Sequence, residues 1–158
     1  MSSALIDITE AVVAELNHPN LFSQAFTATR DYVPIFDLQD MGSVHVTAVP
    51  GALTMEPRTR VTRDRAVNNL EDFVVEVGIQ KRIATDVDLK AACDEMLRLV
   101  QEISDHMIGE PLDAFAGATC NRIENSPAYS DDLLKQNRQF ASLLKLNYRA
   151  IRSPVKGA

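Results

Sequence analysis

Residues 72–82 read DFVVEVGIQKR, and this stretch decides the fold. Its apolar side chains recur at every second position, which puts Phe73, Val75, Val77 and Ile79 on one face. That period of two predicts a β-strand with one buried face. Upstream, residues 26–32 (FTATRDY) alternate in the same way, and residues 43–49 are rich in β-branched side chains before Pro50-Gly51. Both segments predict further strands, the second ending at the Pro-Gly pair.

Helical periodicity appears on both sides of these strands. Leu5, Ile8, Val12, Val13 and Leu16 recur at three- and four-residue steps after Ser3, and residues 17–20 (NHPN) predict the end of that helix. A longer helix is predicted over about 86–108, starting at a capping-box-like Thr85-x-x-Asp88. Its expected buried stripe is Leu89, Ala92, Met96, Leu97, Val100, Ile103 and Met107. A short strand at 119–124, a short helix after Ser130 and a last strand through 140–148 complete the order.

This order predicts an α+β fold with a four- to five-stranded, largely antiparallel sheet. Strands without crossover helices between them pair antiparallel, and the two main helices should pack on the sheet. Residues 51–69 show no sustained period and are long for a connection, so we expect a projecting loop or a hairpin of two long strands. With 158 residues, the chain predicts one domain over 1–152 and a mobile tail at 153–158.

Composition excludes several classes of protein. Hydrophobic residues make up 46% and charged residues 24%, as in ordinary globular proteins. No apolar run approaches the ~20 residues of a membrane span, and the N-terminus lacks the basic region of a secretory signal. The two cysteines, Cys93 and Cys120, are far apart and predict buried thiols in a reducing compartment. We therefore expect no membrane partner.

Charge is unevenly distributed along the chain. The net charge of −6 argues against general nucleic-acid binding. Residues 1–57 carry a net −6, residues 58–65 (RTRVTRDR) a net +3, and the stretch from Lys135 to the end a net +6. Such a division favours contacts between copies of the chain, positive segment to negative surface, although scattered surface charge is an equally good interpretation.

No pattern for catalysis or metal binding is present in the sequence. His18, His45 and His106 each lack a His or Cys partner three or four residues away. Cys93 lies next to the buried stripe of the long helix and Cys120 in a strand, which is typical of core thiols. Adjacent acidic pairs such as Asp131-Asp132 point in different directions, and no phosphate-binding loop or nucleophile elbow occurs. We expect no catalytic residue, no metal and no cofactor.

The arginine segment, residues 58–65, is the feature that a plain fold explains least. Arginine makes planar, bidentate contacts with carboxylates and phosphates, so four of them on a projection suit an interface. The predicted site therefore consists of Arg58, Arg60, Arg63 and Arg65, at a contact with another subunit or with a partner. The alternative is a solvated loop. A second feature, Ser126-Pro127-Ala128-Tyr129-Ser130, is explained by packing at the start of the short helix.

The whole pattern resembles the tail-terminator and tail-completion proteins at the head–tail junction of long-tailed bacteriophages. The resemblance covers about residues 4–152 and rests on shared pattern more than on any single motif. The residues that carry it are Phe26, Arg30, Tyr32, Pro34, Val75, Val77, Ile79, Gln80, Lys81, Tyr129, Leu133, Phe140, Leu144, Leu146, Tyr148 and Arg149.

The resemblance implies a structural virion protein without catalysis. Proteins of that family form a hexameric ring on the tail tube, stop tube polymerisation and offer the surface that docks to the head. The implied partners are further copies of the chain, the tail tube protein and a head-completion or stopper protein, and DNA would pass through the ring without sequence-specific contacts. The implied location is the virion's head–tail junction, with host cytoplasm during assembly.

Two alternatives remain open. The nearer one is another connector component, such as the stopper or adaptor under the portal. The other is a small non-enzymatic regulatory or nucleic-acid-binding module that uses the arginine segment. The second predicts steeply salt-sensitive DNA binding, but the arginines lack interleaved aromatic residues.

Overall fold

The computed structural model describes residues 3–33, 42–57, 69–115 and 117–152. The predicted order of elements is confirmed. The elements are α1 (Ala4–Leu16), β1 (Ala28–Arg30), β2 (His45–Pro57), β3 (Asn69–Arg82), α2 (Leu89–Met107), β4 (Thr119–Asn125), α3 (Asp131–Asn137) and β5 (Gln139–Arg152). The fold is α+β, with a five-stranded, mostly antiparallel sheet and three described helices. The proposed mobile tail at 153–158 lies outside the described residues.

The sheet has the strand order β1-β2-β3-β5-β4. The stretch 72–82 lies at its centre, where β3 pairs antiparallel with both β2 and β5. One pairing departs from the expectation, because β1 runs parallel to β2 with Ala28 opposite Val46. The 14 residues between β1 and β2 are enough for the crossover that a parallel pair needs. Only residues 28–30 of the predicted strand 26–32 form β1.

The core lies on one face of the sheet. The apolar residues of 72–82 face it, and residues of both main helices and of β5 complete the same cluster: Ile8, Val12, Leu16, Met96, Leu99, Ile103, Leu144, Leu146 and Tyr148. Leu99 of α2 is fully buried, although it was not among the residues of the predicted stripe. The predicted Leu97 is only half-buried. The N-cap of α2 also differs from the predicted capping box that began at Thr85. The Asp88 side chain accepts the Lys90 N–H at 3.2 Å, and the helix starts at Leu89.

The opposite face of the sheet is polar. Its described part, here called the polar sheet face, carries alternating residues of β3, β4 and β5: Asp72, Glu76, Arg122, Glu124, Lys145 and Arg149. Register puts Asp72 opposite Arg149 and Glu76 opposite Lys145. Opposite charges therefore face each other across the strands, which stabilises the pairing modestly.

The expected end of β2 at Pro50-Gly51 is wrong. The strand continues to Pro57, and the register shifts between Pro50 and Ala52. β1 pairs only with residues 46–48, so from Val49 onward β2 is an edge strand among the described residues. A proline is tolerated at a bulge on such an edge because its missing N–H faces away from the ladder. A glycine is needed beside it, since a Cβ on Gly51 would lie 2.9 Å from the Val74 carbonyl oxygen.

Candidate functional site

The segment that was expected to project is a pair of strands, here called the arm, formed by residues 51–57 of β2 and 69–75 of β3. Its β3 half also pairs with residues 146–152 of β5, so the arm is continuous with the sheet. The two strands pair out to Pro57 opposite Asn69. All seven β2 residues of the arm are exposed, including Leu53 and Met55. At about 3.3 Å per residue they extend about 23 Å. The hairpin alternative for the 51–69 segment is therefore confirmed as far as the described residues reach.

Arg58, Arg60, Arg63 and Arg65 lie in residues 58–68, outside the described residues. Their flanks are described, however, and the backbone leaves β2 at Pro57 and returns to β3 at Asn69, its direct register partner. Opposed residues of an antiparallel pair have Cα atoms about 4.5–5.5 Å apart. The two described flanks therefore lie next to each other, and the role of the four arginines stays a prediction.

The outer edge of β2 is the other exposed feature of the arm. Past Ala48, whose carbonyl accepts the Asp31 N–H at 3.0 Å, no described strand pairs with this edge. Unpaired N–H and C=O groups on a strand edge are a template for pairing with another chain. Pro50 and Pro57 interrupt the row of donors, so a partner strand would pair best with residues 52–56.

Two ion pairs between β3 and β5 lie near the outer end of the arm, where Glu71 is opposite Met55. Glu71 is fully buried and receives two hydrogen bonds from the Arg152 guanidinium, both at 2.8 Å. Next to it, Asp72 accepts from Arg149 at 2.9 Å on the polar sheet face, where both side chains are exposed. The hydrogen bond to each carboxylate raises the pKa of its arginine, which stays charged.

Most of the basic charge in the C-terminal part is used within the chain. Besides the two pairs just described, Lys135 pairs with Asp131 at 2.9 Å, and Arg138 donates to the carbonyl oxygens of Ile83, Ala84 and Val87. Four of the six positive residues from Lys135 onward are therefore engaged inside the subunit. The expectation that this stretch forms a free positive patch loses its basis for these four residues.

The two cysteines have the environment of core thiols. Cys120 is completely buried, and burial raises its thiol pKa to about 11. Cys93 is half-buried on α2, and burial likewise raises its pKa. Neither is a thiolate at neutral pH, which is the state that a nucleophile needs. The buried Tyr148 hydroxyl has no regular hydrogen-bond partner among the described residues, and desolvation raises its pKa.

A shallow groove runs beside α2. It has a volume of about 630 Å³ and is lined by Leu89, Cys93, Leu97, Tyr129, Leu134 and Phe140, with Asp88, Asp94, Asp131 and two lysines at its rim. Tyr129 remains about half exposed there, so packing at the start of α3 accounts for only part of its surface. Two of its charged residues, Asp131 and Lys135, pair with each other at 2.9 Å.

Two histidines that look isolated in the sequence meet at one carboxylate. His106 Nε2, on α2, lies 3.0 Å from Glu15 Oε1, and His18 Nε2 lies 3.5 Å from Glu15 Oε2. Asp113, in the loop before β4, brings a second carboxylate so close that the ligand atoms of Glu15, His18 and Asp113 all lie within 4.8 Å of one another. Sequence spacing gave no signal that His106 and Asp113 lie beside Glu15 and His18. These residues come from three separate segments: the end of α1, α2 and the loop before β4.

Among the described residues, no helix is long and apolar enough to cross a membrane. No family model matches the chain, and no curated protein matches its sequence.

Solved structures do match. A chain of the virion of a native gene transfer agent particle has a TM-score of 0.51 at 18% identity, and the match covers 97% of this chain and 100% of that one. At this identity the likeness concerns the fold. A second match is the sheath/tube terminator, in its extended state, of an extracellular contractile injection system called PVC. Its TM-score is 0.48 at 11% identity, and this chain, covered in full, spans 62% of that chain's length.

Proposed function

We propose that this protein is a structural virion component that caps a phage tail tube as a ring, ends tube polymerisation and forms the docking surface for the head. The fold it shares with a chain of a gene transfer agent virion, over nearly the full length of both, supports the virion part. The resemblance to tail-terminator proteins supports the capping part. The proposal includes no catalytic role, and the location is the head–tail junction after assembly in host cytoplasm.

The observation that carries the proposal is the arm. Seven β2 residues of the arm are exposed, and no described strand pairs with its outer edge. That edge therefore makes no strand pairing within the described part of its own subunit. Between the two prolines, residues 52–56 keep an exposed strand edge, and such an edge can pair with another chain. An assembly of identical subunits uses such a surface in head-to-tail contacts, which close into rings.

The arginine segment extends this interface. We place Arg58, Arg60, Arg63 and Arg65 at a contact with a neighbouring subunit or with the tube, where they meet carboxylates. Charge-assisted hydrogen bonds of about 1.5–3 kcal/mol each would stabilise that contact.

The experiment mixes the purified chain with polymerising tail tube protein and compares tube lengths by electron microscopy. The wild type should shorten and cap the tubes, while a variant with all four arginines changed to Gln should leave them growing. The matched control changes Lys145 and Arg122, on the polar sheet face, to Gln and should cap as the wild type does. Uncapped tubes with folded wild-type protein would contradict the proposal.

A stopper or adaptor under the portal is the second candidate, because it has a similar size and also forms rings. Closure of isolated portal-containing heads by the pure protein, without any effect on tube length, would favour it. A nucleic-acid-binding module would instead bind DNA with a steep dependence on salt, and the net charge of −6 argues against that outcome.

A further inference from the structure

We propose that Glu15, His18 and Asp113 bind one divalent transition-metal ion of the Zn²⁺ class, with His106 positioning the Glu15 carboxylate. The site lies where α1 ends, beside the C-terminal end of α2 and the loop that leads to β4. It is independent of the arm and of the proposed ring, so its test does not depend on tail assembly.

The distances suit a small ion. Ligands about 2.0–2.1 Å from a tetrahedral Zn²⁺ lie about 3.3–3.4 Å from one another. Glu15 Oε2 and His18 Nε2 are already 3.5 Å apart. All three ligand atoms lie within 4.8 Å of one another, and His18 and Asp113 are exposed, so their side chains are free to close the remaining distance.

The local charge also calls for a cation. Glu15 and Asp113 bring two carboxylates together, and neither forms an ion pair with a lysine or arginine in the described part of the chain. The Glu15 side chain is only 13% exposed, so water screens its charge poorly. A divalent cation between the two carboxylates would cancel it.

His106 fixes the orientation of Glu15. With a proton on Nε2, it donates to Oε1 at 3.0 Å and leaves Oε2 directed toward His18. Phe22 packs edge-on against the imidazole, with ring centroids 5.7 Å apart. A histidine that hydrogen-bonds a ligating carboxylate in this way orients it and raises metal affinity.

The donor set determines the class of metal. One imidazole nitrogen with two carboxylate oxygens suits Zn²⁺, Co²⁺ or Ni²⁺, whereas Mg²⁺ and Ca²⁺ prefer all-oxygen sites. Three protein ligands leave a fourth tetrahedral position for water or for a group from a partner.

The test uses untagged, metal-stripped full-length protein, because a histidine tag would bind the same ions. Calorimetric titration with Zn²⁺ should give one ion per chain, and Co²⁺ should give the intense visible absorption of a tetrahedral site. His18→Ala should weaken Zn²⁺ binding at least tenfold and abolish the Co²⁺ spectrum. His106→Ala should weaken it about 10–100-fold while retaining the spectrum.

Asp113→Asn is a second test variant at an exposed position, and it should also weaken binding at least tenfold. The matched control is His45→Ala, which removes the histidine outside this cluster and should leave affinity unchanged. The proposal is overturned if the folded wild type binds no Zn²⁺ at 100-fold molar excess, or if His18→Ala and Asp113→Asn bind it as the wild type does. It is equally overturned if the NMR signals of His18 and His106 do not change when Zn²⁺ is added.

Discussion

Replacing Arg152 with methionine removes the cation that accompanies the buried Glu71 carboxylate near the outer end of the arm. The guanidinium donates two hydrogen bonds to that carboxylate, and Glu71 has no exposed surface. Methionine keeps an apolar stem of similar length, so packing changes little and the lost interaction is electrostatic. The variant therefore measures how strongly this ion pair holds β5 to β3.

The structure sets the size of the effect. Removing one partner of a buried ion pair costs about 3–5 kcal/mol. The Arg152 side chain is itself 29% exposed, so water entering from its side recovers part of the carboxylate's solvation. We expect a loss of about 2–3 kcal/mol, which in a chain of this size lowers the melting temperature by about 4–12 °C.

Urea unfolding followed by far-UV circular dichroism gives the free energy of unfolding for each variant. The control is Arg149→Met, whose partner Asp72 is the adjacent residue on β3 but lies on the exposed face. An exposed ion pair contributes about 0–1 kcal/mol. The double variant Glu71→Leu with Arg152→Met should be more stable than Arg152→Met alone, since it removes the buried charge as well.

Two results would refute this reasoning. If Arg149→Met costs as much as Arg152→Met, burial does not determine the strength of these pairs. If the double variant is no more stable than Arg152→Met alone, the loss comes from packing and not from an unpaired buried carboxylate.

Four further predictions concern the arginine segment, the arm and the thiols. Changing all four arginines of the arginine segment to Gln should leave the melting temperature of the monomer within about 2 °C of the wild type, by thermal circular dichroism, because the proposal assigns these charges to a contact with a partner and not to the fold of the subunit; unfolding of that variant would make them structural. Gly51→Ala should cost about 1–3 kcal/mol in urea unfolding, since its Cβ would meet a backbone oxygen at 2.9 Å, and a neutral effect would mean that the bulge shifts freely. Cys120→Ala should cost about 1–3 kcal/mol and Cys93→Ala less, with tube capping retained at permissive temperature in both; a stably folded Cys93→Ala that fails to cap would give that thiol a functional role. In the native protein at pH 8, Cys120 should resist alkylation because its thiol pKa is about 11, and fast labelling would contradict its burial.

Local sequence was sufficient for the elements whose signals are strong and short in range. The alternation in 72–82 predicted the central strand, and the Ser130 cap with its two following acids predicted α3. Local sequence misplaced the end of β2, because a Pro-Gly pair usually ends a strand and only the edge position of β2 allows the ladder to pass it. The parallel β1 pairing was missed for a similar reason, since strand direction depends on where the chain returns.

Neither of the ionic clusters was visible in the sequence. Glu71 and Arg152 are 81 positions apart, and Glu15 and His106 are 91 apart, so only the packed fold brings them together. The basic C-terminal stretch looked available for partners because sequence shows charges and not their contacts. The arginine segment remains the one predicted site, and it rests on composition and on the strand ends that flank it.

Native mass spectrometry of the chain incubated with tail tube protein tests the central claim most directly. The proposal predicts a ring of six copies of the 17.5 kDa chain, about 105 kDa, bound to tube protein at one end. It predicts that the four-arginine variant stays monomeric under the same conditions. A folded wild-type chain that remains monomeric at high micromolar concentration, with polymerising tube protein present, would contradict the claim.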